Sequence, residues 1–157
     1  MIAALVGAPA TAAPPPVYVH MNGANMFLED VVAVKPGQDV VFVNEDTGAH
    51  TIVGFNPLTG KTSHSFNGYV AGDAPATQPT YYKISFSKPG IYHYYCSVHA
   101  MLAMEPPEHV TVAKIRPGVD GFGDPMAGVI IVTTDAAILA RNPPSSHQKI
   151  LANYFGG

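Results

Sequence analysis

One cysteine, two histidines and one methionine of this chain have the side chains and the spacing to bind a soft transition metal. Cys96 and His99 are separated by two residues, and Met104 follows His99 closely. His50 stands far upstream, between a polar turn and a segment rich in β-branched residues. A thiolate, two imidazoles and a weak thioether are the donors of a type 1 copper site, which exchanges single electrons. The residue types therefore predict a copper site formed by His50, Cys96, His99 and Met104.

Cys96 is the single cysteine of the chain, so a disulfide within the chain is excluded. A lone thiol in an exported protein is prone to oxidation unless it is occupied, for instance by a metal. A buried and inert thiol would explain Cys96, but not the two accompanying histidines. Met101 is the alternative thioether ligand, although its position two residues after His99 favours Met104. A site with neither methionine is the third alternative.

The residues that must position these ligands form short β-segments separated by turn signals. The segments are 31–34, 39–44, 51–55, 80–86, 91–96 and 109–115. His50 directly precedes one segment and Cys96 ends another. This pattern is typical of an all-β fold, an antiparallel β-sandwich with Greek-key connections. The stretch 54–79 lacks a clean period and predicts a long connection with one irregular strand or a helical turn.

The sequence divides into three predicted parts. Residues 1–16 are a signal-peptide remnant or an N-terminal arm, because small residues follow a short apolar run. Residues 17–115 form the sandwich. Residues 116–157 form a C-terminal extension that contains a strand at 128–133 and a short helix, and its last apolar side chains share one helical face: Ile150, Leu151, Tyr154 and Phe155. Such a face must be buried, so we expect the extension to dock onto a neighbouring subunit and form a homo-oligomer; docking onto the sandwich of its own chain is the alternative.

Composition excludes two function classes. The chain has 157 residues, with 8 Lys and Arg against 11 Asp and Glu and a net charge of −3. It therefore offers no basic surface for nucleic acid. No apolar run reaches the roughly 18 residues that a transmembrane helix needs, so we expect no membrane span. The short apolar N-terminus favours an exported protein, periplasmic or otherwise extracytoplasmic.

Residues 17–115 resemble the cupredoxins, in particular the plastocyanin and pseudoazurin branch. The resemblance rests on the segments 34–37, 44–52 and 90–99, the last of which reads Gly-Ile-Tyr-His-Tyr-Tyr-Cys-Ser-Val-His. The family pattern Cys-x2-His-x4-Met maps onto Cys96, His99 and Met104. The resemblance implies an eight-stranded Greek-key sandwich with one type 1 copper ion at one end. It also implies single-electron transfer between redox proteins, such as cytochromes or copper and haem reductases and oxidases.

Two features depart from the family pattern. Val98 stands where the family often has proline between the cysteine and the histidine, and Glu105-Pro106-Pro107-Glu108 intervenes before the expected last strand. If this insertion moved Met104 away, copper would have an open position. The alternative function is then a copper enzyme with an open type 1 site that acts on a small nitrogen oxide or anion.

Three residues beside the ligands have predicted supporting roles. If Cys96 faces the metal, strand alternation places Tyr94 in the core and Tyr95 outward. By resemblance, Tyr95 is a candidate electron-transfer path. Thr51 follows the ligand His50 and is expected to hydrogen-bond to Ser97, which would support the ligand loop.

Overall fold

The computed structural model describes residues 12–72, 79–119 and 124–145, which form eleven β-strands and one short helix. The strands are β1 (Val17–Asn22), β2 (Met26–Phe27), β3 (Val31–Val34), β4 (Asp39–Asn44), β5 (His50–Phe55), β6 (Thr62–Val70), β7 (Thr80–Ser85), β8 (Gly90–Tyr95), β9 (Ala100–Glu105), β10 (Val110–Ile115) and β11 (Ala127–Val132). The helix is α1 (Ala136–Leu139). The all-β fold predicted from the sequence is confirmed.

Two open sheets pack face to face around one hydrophobic core. One sheet has the strand order β2-β1-β4-β7, and the other has the order β3-β11-β8-β5-β6. Strands β1 and β4 run parallel, as do β3 and β11, and the other neighbours in these two sheets are antiparallel. Both sheets contribute fully buried side chains to the core, among them Val19, Phe42, Ile52, Tyr94 and Ile130. This arrangement confirms the predicted sandwich, but the two parallel pairs differ from the antiparallel pairing that the sequence predicted.

Strand β11 lies inside the five-stranded sheet, between β3 and β8. The sequence pattern predicted a strand and a short helix after Ile115, and both are present. The sequence also predicted that the sandwich is complete at Ile115, whereas β11 is an interior strand of its sheet. The difference arises because the segment 109–115, which the pattern counted as the closing strand, pairs with β9 instead.

Strands β9 and β10 form an antiparallel hairpin, residues 100–115, which we call the inserted hairpin. The pair Ala100↔Ile115 closes its base. Ala100 packs with Val53 and Tyr95 in a small apolar cluster that is separate from the main core. Because Val53 and Tyr95 point to the face of the sheet away from the core, the inserted hairpin covers that outer face at one end.

Strand β6 occupies much of the stretch 54–79, which the sequence pattern interpreted mainly as a connection. It lies at the edge of the five-stranded sheet. Its residues alternate between buried and exposed only over 66–70, and its first half is mostly exposed. The polar residues of this first half hid the strand period in the sequence, because an edge strand with a solvated face need not be apolar.

The residues after α1 return to the sandwich. The Asn142 side chain hydrogen-bonds to both backbone groups of Ala33, with distances of 2.7 and 2.6 Å. Ser145 accepts a hydrogen bond from the Tyr18 N–H at 2.7 Å. The predicted apolar helical face at 150–155 and most of the segment 1–16 lie outside the described residues. Among the described residues, no helix has the length and apolar character that membrane crossing requires.

Candidate metal centre

His50, Cys96 and His99 meet at one end of the sandwich. His50 begins β5, Cys96 directly follows β8, and His99 closes the turn after it. Strands β5 and β8 are antiparallel neighbours, so the start of one lies beside the end of the other. One donor atom from each residue lies within 4.8 Å of the other two. The sheet thus brings together three of the four predicted ligands.

The distances between these donors fit a bound metal ion. Metal bonds of about 2.0–2.3 Å to nitrogen and sulfur set the donors about 3.5–3.8 Å apart. The Cys96 Sγ lies 3.4 Å from the His99 Nδ1 and 3.9 Å from the His50 Nδ1. Cysteine with imidazole is a donor set that suits copper. The side chains therefore fit copper without rearrangement of the backbone.

Burial differs among the three residues. Cys96 and His50 are fully buried, whereas His99 is partly exposed. Burial lowers the pKa of His50; a hydrogen bond with Asp46 opposes this shift, and the neighbouring His99 adds to it. Burial also lowers the pKa of His99. Both imidazoles are thereby kept neutral, which is the form that binds a metal.

We expect the metal-free protein to lose stability as the pH falls. Burial lowers the pKa values of His50, His93 and His99, so below the ordinary value of 6.5 the unfolded chain binds more protons than the folded one. The free energy of unfolding should therefore be lower at a pH about one unit below this value than at a pH about one unit above it. Urea unfolding at both pH values measures this. A smaller decrease is expected in His50→Gln, and an equal or higher midpoint at the lower pH would contradict the prediction.

Asp46 orients His50, a role that the sequence analysis missed. The Asp46 carboxylate lies 3.1 Å from the His50 Nε2. A carboxylate acceptor favours the proton on Nε2 and leaves Nδ1 free for a metal. Asn44 holds the turn between them, because its side chain accepts from the Asp46 N–H and donates to the Gly48 carbonyl. A carboxylate four residues before a ligand histidine was the available signal in the sequence.

Thr51 joins the thiol of Cys96 to the turn that follows it. The Thr51 N–H donates to the Cys96 Sγ at 3.3 Å. The Thr51 hydroxyl accepts from the Ser97 N–H at 2.7 Å and lies 2.9 Å from the Ser97 hydroxyl. Thr51 and Ser97, predicted to interact, are thus in contact. Because Thr51 neighbours His50, these bonds hold the segments that carry His50 and Cys96 at a fixed separation.

Met104 and Tyr95 lie in surroundings that the sequence did not indicate. Met104 is near the tip of the inserted hairpin, opposite Thr111, and its side chain is 63% exposed. A strand rises about 3.3 Å per residue, so β9 carries Met104 away from His99. Tyr95 does point away from the core, but the inserted hairpin covers it and leaves it only 9% exposed.

Met126 is a buried methionine beside Cys96 that the sequence analysis did not consider. Its carbonyl accepts a hydrogen bond from the Cys96 N–H at 2.9 Å. The register Ala127↔Tyr95, extended by one residue, sets Met126 opposite Cys96 on the same face of the sheet. Side chains that are opposite in this way have Cβ atoms about 4.5–5.5 Å apart. Met126 is 2% exposed and belongs to the same core cluster as Cys96.

This chain is similar to a known protein family and to solved structures. Residues 17–113 match the family model described as copper binding proteins, plastocyanin/azurin family. Amicyanin from Paracoccus versutus is 22% identical, with 80% of this chain and 85% of that chain covered and a TM-score of 0.47. A purple cupredoxin from Nitrosopumilus maritimus is 20% identical, with 76% and 100% covered and a TM-score of 0.46. By the family match over 17–113, this chain belongs to the plastocyanin/azurin family of copper-binding proteins, the cupredoxins.

Proposed function

We propose that this protein carries single electrons on one type 1 copper ion held by His50, Cys96 and His99. The observation that supports this most strongly is the cluster of one thiol and two imidazoles, with Sγ to Nδ1 distances of 3.4 and 3.9 Å. Bound copper would supply a one-electron couple at this position. The proposed location is outside the cytoplasm, and the proposed partners are redox proteins such as cytochromes or copper and haem reductases and oxidases.

The side chains around the cluster suit electron transfer. His50 and Cys96 are fully buried and exclude water from most of the site. The hydrogen bonds of Asp46 and Thr51 fix the ligands before a metal arrives, so little would move when the charge of the site changes. His99 is the ligand that reaches the surface, and its edge is the shortest route to a docked partner.

We propose Met126 as the fourth, axial donor. It lies opposite Cys96 at the start of β11, is almost fully buried, and brings a thioether into the core beside the thiol. Met104, the methionine favoured by its spacing in the sequence, is mostly exposed on the inserted hairpin. If Met126 is the axial donor, its replacement should alter the copper site, whereas if Met104 is the donor, the replacement of Met104 should do so.

Addition of Cu(II) to the purified protein tests the proposed function. We expect an intense visible absorption from thiolate-to-copper charge transfer and a narrow copper hyperfine splitting in the EPR spectrum. The colour should disappear with one electron per chain and return on reoxidation over repeated cycles. A colourless product, or the EPR spectrum of an ordinary tetragonal site, would contradict a type 1 site. Colour that is lost irreversibly on reduction would contradict the role as a carrier.

Replacement of each methionine by leucine tests the axial donor. Leucine has nearly the volume of methionine, so both variants should fold. Met126→Leu should shift the reduction potential and the visible spectrum, because the axial ligand tunes both. Met104→Leu, the matched control, should leave both unchanged. The opposite result would return the assignment to Met104, and a lack of effect in both variants would exclude a thioether from the site.

A further inference from the structure

Arg116 connects the end of the inserted hairpin to the loop that carries Cys96 and His99. It directly follows β10, and its N–H donates to the His99 carbonyl at 3.2 Å. Its guanidinium Nη2 donates to the carbonyls of Ser97 and Ala100, at 2.8 and 3.2 Å. One residue thus binds three of the four consecutive carbonyls over 97–100.

The loop has few other constraints on this side. The Cys96 carbonyl accepts from the N–H groups of His99 and Ala100, which closes a single turn. After Ala100 the chain leaves along the inserted hairpin and returns only at Ile115, which pairs with Ala100. Arg116 therefore secures the ligand loop where the chain comes back. Hydrogen bonds from a charged donor are stronger than those from a neutral one, so a guanidinium suits this position.

The charge of Arg116 is not neutralised by an ion pair within the described part of the chain: the salt bridges found there join His20 to Glu29, His50 to Asp46, Lys83 to Asp39 and Lys114 to Glu105. The guanidinium also acts on Tyr95, the residue before Cys96. Burial raises the pKa of Tyr95, and the positive charge of Arg116 opposes this shift. An unneutralised cation thus lies next to the metal-binding segment.

We propose that Arg116 is a positioning residue of the metal centre, which holds Cys96 and His99 at their binding distance and raises the reduction potential of the site through its charge. The inference rests on the proposed function. Reduction adds one electron to the site and lowers its net charge by one, and a nearby cation favours the state of lower charge. The same residue would couple the inserted hairpin to the metal.

Three variants test this role: Arg116→Gln, Arg116→Lys and, as a matched control, Arg141→Gln. Arg141 lies after α1, which follows the end of β11. That end of β11 is at the other end of the sheet from Cys96, because Val132 pairs with Gly90 at the start of β8 and Cys96 follows the end of β8. For each variant we would measure copper affinity by chelator competition, the visible spectrum, the reduction potential and the urea midpoint of the metal-free protein.

Arg116→Gln should bind copper about tenfold more weakly, as is usual when a ligand loses a supporting partner. It should also have an altered spectrum and a lower reduction potential. Arg116→Lys keeps the charge, but its ammonium ends one bond short of the position of Nη2, which donates to both carbonyls. These hydrogen bonds should therefore weaken, so the copper affinity should fall while the reduction potential stays near the wild-type value. Arg141→Gln should match the wild type in all metal-dependent measurements.

The proposal for Arg116 is overturned if the wild type forms the blue copper site and Arg116→Gln has the same copper affinity, visible spectrum and reduction potential. This holds even if the urea midpoint of Arg116→Gln is lower. If Arg116→Gln fails to fold, Arg116→Lys decides, and wild-type affinity and spectrum in that variant overturn the proposal. A wild type without thiolate absorption contradicts the proposed function itself, so the two failures are distinguishable.

Discussion

The Cys96→Ala variant is expected to lose the visible absorption completely and to bind copper more than about a hundredfold more weakly. Loss of a residue that only supports a ligand weakens metal binding about 10–100-fold, and loss of the ligand itself should weaken it further. The absorption arises from the thiolate, and Cys96 is the single source of a thiolate in the chain. Spectrophotometric titration with Cu(II) and chelator competition measure the two losses.

The fold should survive this substitution. Cys96 is fully buried and packs as a small apolar side chain. Alanine removes its sulfur atom and the hydrogen bond that the sulfur accepts from the Thr51 N–H, while the contacts between Thr51 and Ser97 remain. The urea midpoint of the metal-free variant should stay close to that of the wild type. Cys96→Ser is the matched control: it keeps the size of the side chain and an oxygen donor, and should bind Cu(II) weakly without the intense colour. Intense colour in either variant would exclude Cys96 as the ligand.

Gly128→Ala is expected to lower the free energy of unfolding by about 3 kcal/mol, the upper part of the usual range for overpacking a core. A Cβ atom at Gly128 would lie 2.3 Å from the Tyr94 hydroxyl and 2.5 Å from the Asp30 carbonyl oxygen. Tyr94 is fully buried, and the Asp30 carbonyl accepts from the Val129 N–H at 2.7 Å. Neither group can move without the loss of packing or of a sheet hydrogen bond.

Urea unfolding of the metal-free protein measures this loss, with Gly23→Ala as the matched control. At Gly23 the nearest atom to an added Cβ would be an Asp46 carboxylate oxygen at 3.6 Å, an ordinary contact. The control should therefore change the midpoint little. Since Gly128 lies two residues after Met126, Gly128→Ala should also weaken copper binding. A midpoint equal to that of the wild type would mean that β11 does not lie against Tyr94 as described.

Tyr94, whose hydroxyl lies against Gly128, contributes to the core through its aromatic ring. Its hydroxyl is buried and has no hydrogen-bond partner among the described residues. Burial, together with the nearby Asp30 and Glu29 carboxylates, raises its pKa well above the usual value. The phenol therefore stays neutral and contributes mainly through its aromatic contacts, such as those with Phe27 and Phe42 at centroid distances of 4.9 and 5.1 Å.

The sequence was informative where a residue type is scarce or a local period is strong. A single cysteine with a histidine three positions beyond it led to Cys96 and His99, and alternating β-branched residues led to the central strands. Strand β9 was not predicted, since its Ala-Met-Leu-Ala-Met-Glu residues favour helix more than strand. The outward direction of Tyr95 followed from alternation, but its burial depends on a hairpin packed over it.

The proposed axial donor shows how spacing along the chain can differ from proximity in the fold. Met104 is near His99 in sequence, yet the rise of β9 separates them in space. Met126 is distant in sequence, yet the ladder between β8 and β11 sets it opposite Cys96. A short sequence pattern does not show that the chain leaves the site and later returns to it, because the return depends on pairing between residues that are distant in sequence.

The inserted hairpin also changes the entropy of assembling the site. The cost of closing a flexible loop grows only with the logarithm of its length, about 0.6 kcal/mol for each doubling. Within the hairpin even this cost is offset locally, because the ladder from Ala100↔Ile115 to Glu105↔Val110 brings the two ends together by itself. At the metal-binding end of the sandwich, the hairpin therefore costs as little loop-closure entropy as a short connection. Residues can be added to the chain at this position with little loss of stability.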